Sequence, residues 1–129
     1  MTRSSSALVP DHRSLKVWQV AMSLAEDIYR STRAFPAAEK FGLTSQVRRA
    51  AVSIASNIAE GNGRASTKEY VHHLSIARGS LREVSTLVDL STRLGYLAKS
   101  DVPRLEELEN HIGRMLTRLI KSLQAPGRR

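Results

Sequence analysis

Cysteine is absent from the 129-residue chain, which removes disulfides, thiolate metal sites, iron–sulfur clusters and cysteine nucleophiles together. Aromatic residues are scarce at 5%, and seven glycines with four prolines leave little material for tight turns. That poverty argues against a β-sandwich or a loop-rich fold. Acid is short relative to base: 12 Asp and Glu stand against 20 Lys and Arg, giving a formal charge of +8. Such a balance suits polyanionic partners and says nothing about fold. No stretch approaches the ~20 apolar residues of a membrane-spanning helix. The start of the chain, Met1 to Pro10, has only a short apolar run, Ala7-Leu8-Val9, well below a signal-peptide core. A cytoplasmic protein without a membrane partner is expected. A chain of this length holds one domain with its own core.

What is present is helical periodicity. Residues 1–13 are Ser-rich and aperiodic and read as a disordered arm, while 125–129 read as a basic tail. The body, 14–124, divides into four amphipathic segments. In the first, Leu15, Trp18, Met22, Ala25 and Tyr29 recur at helical spacing beside a second stripe of Val17, Ala21, Leu24 and Ile28. Ser14 is the expected N-cap and Pro36 the expected stop. The second segment carries Leu43, Val47, Ala50, Ile54 and Ile58 to Glu60, with Gly61 expected as a left-handed C-cap. Ser66-Thr67-Lys68-Glu69 fits a capping box for the third. Its core line is Tyr70, Leu74, Ala77, Leu81, Val84, Val88 and Ser91, closed by Gly95. The fourth starts near Ser100, with Asp101 and Pro103 in its first turn and Leu105, Leu108, Ile112, Met115, Leu119 and Leu123 on its face. Four such helices joined by short links make an all-α, up-down-up-down four-helix bundle. The double stripe of the first helix and the small residues Ala51, Ala55 and Ala59 of the second exceed one core face. They suit either self-association or a wide monomeric core.

Signatures of catalysis are missing: there is no nucleophile elbow, Walker loop or dinucleotide fingerprint, and Gly61-Asn62-Gly63 reads as a turn. Glu69 and His72 form one E-x-x-H, whereas a di-metal bundle site needs a second and two further inward glutamates. No enzyme, no metal and no cofactor are expected. The informative polar residues are Gln46, Arg49, Ser53, Asn57, Glu60 and Arg64, which form one stripe on the second helix. Ser75, Arg78, Arg82 and Glu83 form another on the third. An antiparallel hairpin around the turn at 61–66 would set Arg49 level with Arg78. The stripe then reads as an internal network, a subunit interface, a phosphate-binding face or a plain solvated surface.

The run from Phe41 to Gly61, FGLTSQVRRAAVSIASNIAEG, resembles the signature of the four-helix-bundle proteins encoded in intervening sequences of 23S ribosomal RNA genes. Asn62-Gly63-Arg64 and Leu74 to Glu83 resemble that family's second motif, and Leu15-Lys16-Val17-Trp18 its opening. The likeness spans about residues 14–123. It implies a left-handed bundle that assembles as a ring-like homopentamer. It further implies kinship with accessory proteins of diversity-generating retroelements, which bind a reverse transcriptase and nucleic acid. It brings no catalytic activity.

The expected function is therefore a non-enzymatic, basic, oligomeric scaffold that binds RNA or DNA without strong sequence specificity, together with a protein partner. The alternative is a structural or protein-interaction module, such as a reverse-transcriptase accessory protein, whose polar stripe is internal. The candidate residues are Gln46, Arg49, Ser53, Asn57, Glu60, Arg64, Arg78 and Arg82.

Overall fold

The computed structural model describes residues 11–127; positions 1–10 of the expected arm, and Arg128 and Arg129 of the tail, lie outside the described residues. Four α-helices carry the structure: α1 (Lys16–Ser31), α2 (Leu43–Asn62), α3 (Thr67–Arg93) and α4 (Val102–Gln124). Short 3-10 turns sit at His12–Ser14, Ala37–Glu39 and Lys99–Asp101, and no strand occurs among the described residues. Each helix packs on its neighbour in sequence and α1 closes on α4, with α2 and α3 sharing the most extensive surface. This is a four-helix bundle with up-down-up-down connectivity.

Local chemistry accounts for most of the helix ends. The Ser66 side chain accepts from the Glu69 amide at 3.1 Å, satisfying one orphan donor at the start of α3. Gly95 follows α3 with φ +77, a conformation that costs glycine nothing. Pro103 sits in the first turn of α4. Three expected ends differ, two of them on α1. Ser14 does not cap α1; its hydroxyl donates back to the Asp11 carbonyl at 3.0 Å within the preceding turn. His12 stacks edge-on against Trp18 at 5.0 Å, so residues 11–13 form part of the folded body and not of the arm. Helix α1 stops at Thr32, four positions before Pro36, where the Thr32 hydroxyl donates to the Ile28 carbonyl at 2.7 Å. The start of α2 is capped from the loop: Glu39 Oε1 accepts from the Leu43 amide at 3.0 Å.

The core is a continuous apolar interior drawn from all four helices. In α1 it is the second stripe, Val17, Ala21, Leu24 and Ile28 with Val20 and Ala25, that faces inward. Met22 and Tyr29 of the first stripe remain 39% and 43% exposed, next to the exposed Val52 of α2. Ala51 and Ala55 are buried inside the bundle and so are unavailable for a subunit contact. Between α1 and α2 the surplus apolar surface is thus the Met22, Tyr29 and Val52 face, while Phe41, Ile76, Leu90 and Leu94 are exposed elsewhere. In α4 the buried line includes Leu116 and Ile120, while Met115 and Leu119 are only half-buried.

Gly61 is not a C-cap. α2 continues through it to Asn62, and the residue is buried against α3. A β-carbon there would lie 2.8 Å from His73 Cβ, closer than real β-carbons come, and a tight 3.1 Å from Tyr70 Cδ1. The missing side chain is what lets the two backbones approach. Gly61→Ala is expected to lower stability by roughly 1–3 kcal/mol, the cost of overpacking a tight contact. Gly79→Ala, where a β-carbon meets nothing within 4 Å, should raise it by up to about 1 kcal/mol through helix propensity. Urea denaturation of the two variants reads the difference; equal stability of Gly61→Ala and wild type would contradict the close-approach role.

Candidate functional site

The polar stripe of α2 divides in the structure. Ser53 and Asn57 turn toward α3 and are part-buried: Ser53 Oγ lies 2.9 Å from Ser80 Oγ, and Asn57 Oδ1 lies 3.1 Å from His73 Nδ1. The Asn57 amide also donates to the Ser53 carbonyl at 2.9 Å. Glu60 reaches His73 at 3.7 Å and Arg64 at 3.3 Å on the exposed side. These residues tie α2 to α3 and close the network around the Gly61 contact. Their pairings run about one turn away from the expected register, because α2 extends past Gly61 and the reversal falls later, at Gly63 to Ser66.

That shift separates Arg49 from Arg78. Arg49 shares an open groove with Gln46, Ser53, Ser80 and Glu83, where acid and base balance. The arginine of this segment that builds the fold is its neighbour. Arg48 Nε donates to the Thr32 hydroxyl at 2.8 Å, and its guanidinium lies 4.5 Å from the Tyr29 ring centre. Arg48 therefore seals α1 against α2.

Arg78 and Arg82 open onto the other side of α3. They line a cleft of about 580 Å³ between α3 and α4, together with Ser85, Glu109, Arg114 and Arg118. The volume falls within the range of small-molecule sites, roughly 300–1,000 Å³. Arg78 and Arg82 are four residues apart on α3, and Arg114 and Arg118 four apart on α4, so each helix presents two guanidiniums to the same opening. Arg30, Arg64 and Arg104 are held in ion pairs elsewhere. The four cleft arginines form no salt bridge among the described residues. Four adjacent like charges without carboxylate partners repel one another and are relieved by an anion. Gly113 lies in the lining, where a β-carbon would meet only Leu81 Cδ2, at 3.5 Å.

Glu109 sits in this cleft and is only 8% exposed. Its Oε2 has no hydrogen-bond partner among the described residues. Burial, seconded by the charges of Asp89 and Glu106 and opposed by a hydrogen bond from Ser85, pushes its carboxyl up from 4.5 to about 7. Apolar spacing in α4 does not mark Arg114, Arg118 or Glu109. The signal was there in a second i, i+4 arginine pair matching that of α3. Among the described residues no group of three or more His, Asp or Glu gathers for a metal ion. No helix among them is long and apolar enough to cross a membrane.

The family described as 23S rRNA-intervening sequence protein matches residues 13–118. Among solved structures, the chain is similar to a protein of unknown function from the S23 ribosomal protein family of Bacteroides thetaiotaomicron. The two share 22% identity over 81% of this chain and 98% of that one, with a TM-score of 0.73, a likeness of fold. Among curated proteins none matches. The chain belongs to the 23S rRNA-intervening sequence protein family.

The raised Glu109 carboxyl makes stability depend on pH in a stated direction. Between 4.5 and about 7 the folded chain holds a proton that the unfolded chain has lost. Stability therefore falls as pH rises through that window, and the full cost of the buried charge is felt above it. Glu109→Gln is expected to melt above wild type at pH 8.5, by about 1–2 kcal/mol after solvent screening, and to match it near pH 4.5. Melting curves of both proteins at the two pH values check this; a constant offset would place the effect elsewhere.

Proposed function

We propose that this member of the 23S rRNA-intervening sequence protein family is a non-enzymatic scaffold that holds RNA or DNA by its phosphates in the α3–α4 cleft. The observation that carries the reading is the convergence of Arg78, Arg82, Arg114 and Arg118, none of them paired, on one opening. Guanidiniums suit phosphate because their fork of donors matches two of its oxygens at once. Contacts to phosphate carry no sequence information, so binding is sequence-tolerant in its main energy and falls steeply with salt. The terminal arginines Arg3, Arg128 and Arg129 add charge.

Assembly belongs to the same reading. The exposed Met22, Tyr29 and Val52 face supports self-association, and closed cyclic symmetry would cover it in every subunit. A ring of five copies, as the family resemblance implies, would carry about +40 and present one arginine cleft per subunit. Kinship with retroelement accessory proteins would add a reverse transcriptase as protein partner. Light scattering behind size exclusion should give about five times the 14.3 kDa chain mass. A monomer that persists on concentration would remove the ring from the account.

The binding claim has its own test. Arg78→Ala, Arg82→Ala, Arg114→Ala and Arg118→Ala should each weaken binding to a structured RNA, with the salt slope shallower by about one per lost phosphate contact. Their stability should stay within about 0.5 kcal/mol of wild type, since none holds an internal partner. Asn57→Ala, which removes the hydrogen-bond partner of His73, should lower stability by about 1–3 kcal/mol and leave the salt slope unchanged. Fluorescence anisotropy across a salt series, run beside thermal melts, separates the two groups. Full-strength binding by the quadruple cleft variant would contradict the proposal.

A further inference from the structure

Phosphate binding explains the rim of the α3–α4 cleft but not its floor. A site built only for phosphate gains nothing from a buried carboxylate, which repels the ligand. Yet Glu109 lies in the lining, 8% exposed, with Oε2 free of any partner among the described residues. No guanidinium pairs with it, although four line the same cleft. Across the cleft, the Ser85 hydroxyl bonds to the carboxyl, while Asp89 and Glu106 add like charge from α3 and α4. A buried polar atom without a partner costs free energy, and a structure that retains one has a reason to be sought. Here the reason is a ligand that brings a donor.

The ligand must satisfy both parts. It needs an anionic group for Arg78, Arg82, Arg114 and Arg118, and an N–H donor a few ångströms away for Glu109. We infer that the cleft takes a nucleotide of a single strand. Its phosphate lies on the arginine rim, and its base lies inside with an exocyclic amino group donating to Glu109. This inference rests on the phosphate-binding reading and deepens it by naming the bases preferred. A carboxylate oxygen accepts from the N4 amino group of cytosine, a pairing that also reads cytosine in duplex grooves. Adenine and guanine bring amino groups as well. Uracil and thymine present a carbonyl oxygen at the corresponding edge, lone pair against lone pair, and are disfavoured. No aromatic side chain lines the cleft, so the platform for the base is an arginine plane, which stacks on bases in single-stranded recognition. The cleft, about 580 Å³, is large enough for one nucleotide, and Gly113 in its lining adds no side chain to it. RNA and DNA supply the same chemistry, cytosine against uracil or thymine.

The test is binding of short cytosine and uracil RNA strands, and cytosine and thymine DNA strands, to the full chain at pH 8 and one fixed salt concentration. Wild type should bind the cytosine strands about five- to tenfold more tightly. Glu109→Gln, which keeps the shape and removes the buried charge, should bring the two within about twofold while still binding both. Gly113→Leu, which fills the cleft and leaves every charge in place, should also erase the preference. Equal binding of cytosine and uracil by wild type, lost in the quadruple arginine variant, would overturn the base reading and leave the phosphate reading standing. A preference that survives Glu109→Gln would overturn it too. Absence of binding to any strand would overturn both.

Discussion

The approach of α2 to α3 at Gly61 is the constraint from which the rest of the arrangement follows. With no side chain at that position, the α2 backbone comes against His73 at a distance no alanine could share, and close to Tyr70. Once it is there, Asn57 meets His73 and Ser53 meets Ser80, and each hydrogen bond satisfies a part-buried polar group. The register of the hairpin is then set along its whole length, since helices that interlock at several points cannot slide by a fraction of a turn. Register decides exposure. It turns Arg49 to a groove that already contains Glu83 and leaves Arg78 and Arg82 for the opposite flank of α3, where α4 supplies Arg114 and Arg118.

The charge of the chain is accordingly not spread at random. Arg48 is consumed by Thr32 and the Tyr29 ring, Arg64 by Glu60, and Arg104 by Asp27. Among the described residues, four arginines without an ion pair gather in the α3–α4 cleft. A solvated surface distributes opposite charges among one another; a binding surface concentrates one sign and lets the ligand supply the other. Glu109 adds the contrast within the cleft, a buried carboxyl pushed up to about 7 behind a rim of permanent cations. The two features favour a ligand with an anionic part and a hydrogen-bonding part over a simple anion.

The helices were legible in the sequence because the signals that make them are local. Apolar spacing, the Ser66 cap, Gly95 and Pro103 act within a turn or two of their own positions, and the structure places each as read. Gly61 misleads for the same reason: locally a glycine after a helical run is a C-cap, and only the neighbouring helix reveals that it is a point of contact. The choice between the two α1 stripes likewise depended on which face met α2 and α4. Of the site, Arg78 and Arg82 were visible as part of a stripe. The cleft was not, because it is made by i, i+4 pairs on two helices that sequence spacing does not connect. Glu109 is a charged residue on a buried line, and a pattern of apolar residues passes over it.

The central claim is that unpaired arginines of α3 and α4 form one anion-binding face. Its most direct measurement is side-chain NMR of the arginine Nε–Hε groups, assigned through single Arg→Lys variants, during titration with a short single-stranded RNA. The account expects the Arg78, Arg82, Arg114 and Arg118 signals to move together and saturate at one concentration, with Arg48 and Arg104 unmoved. Shifts confined to Arg49 and to the terminal arginines Arg3, Arg128 and Arg129, with the four cleft signals still, would contradict it.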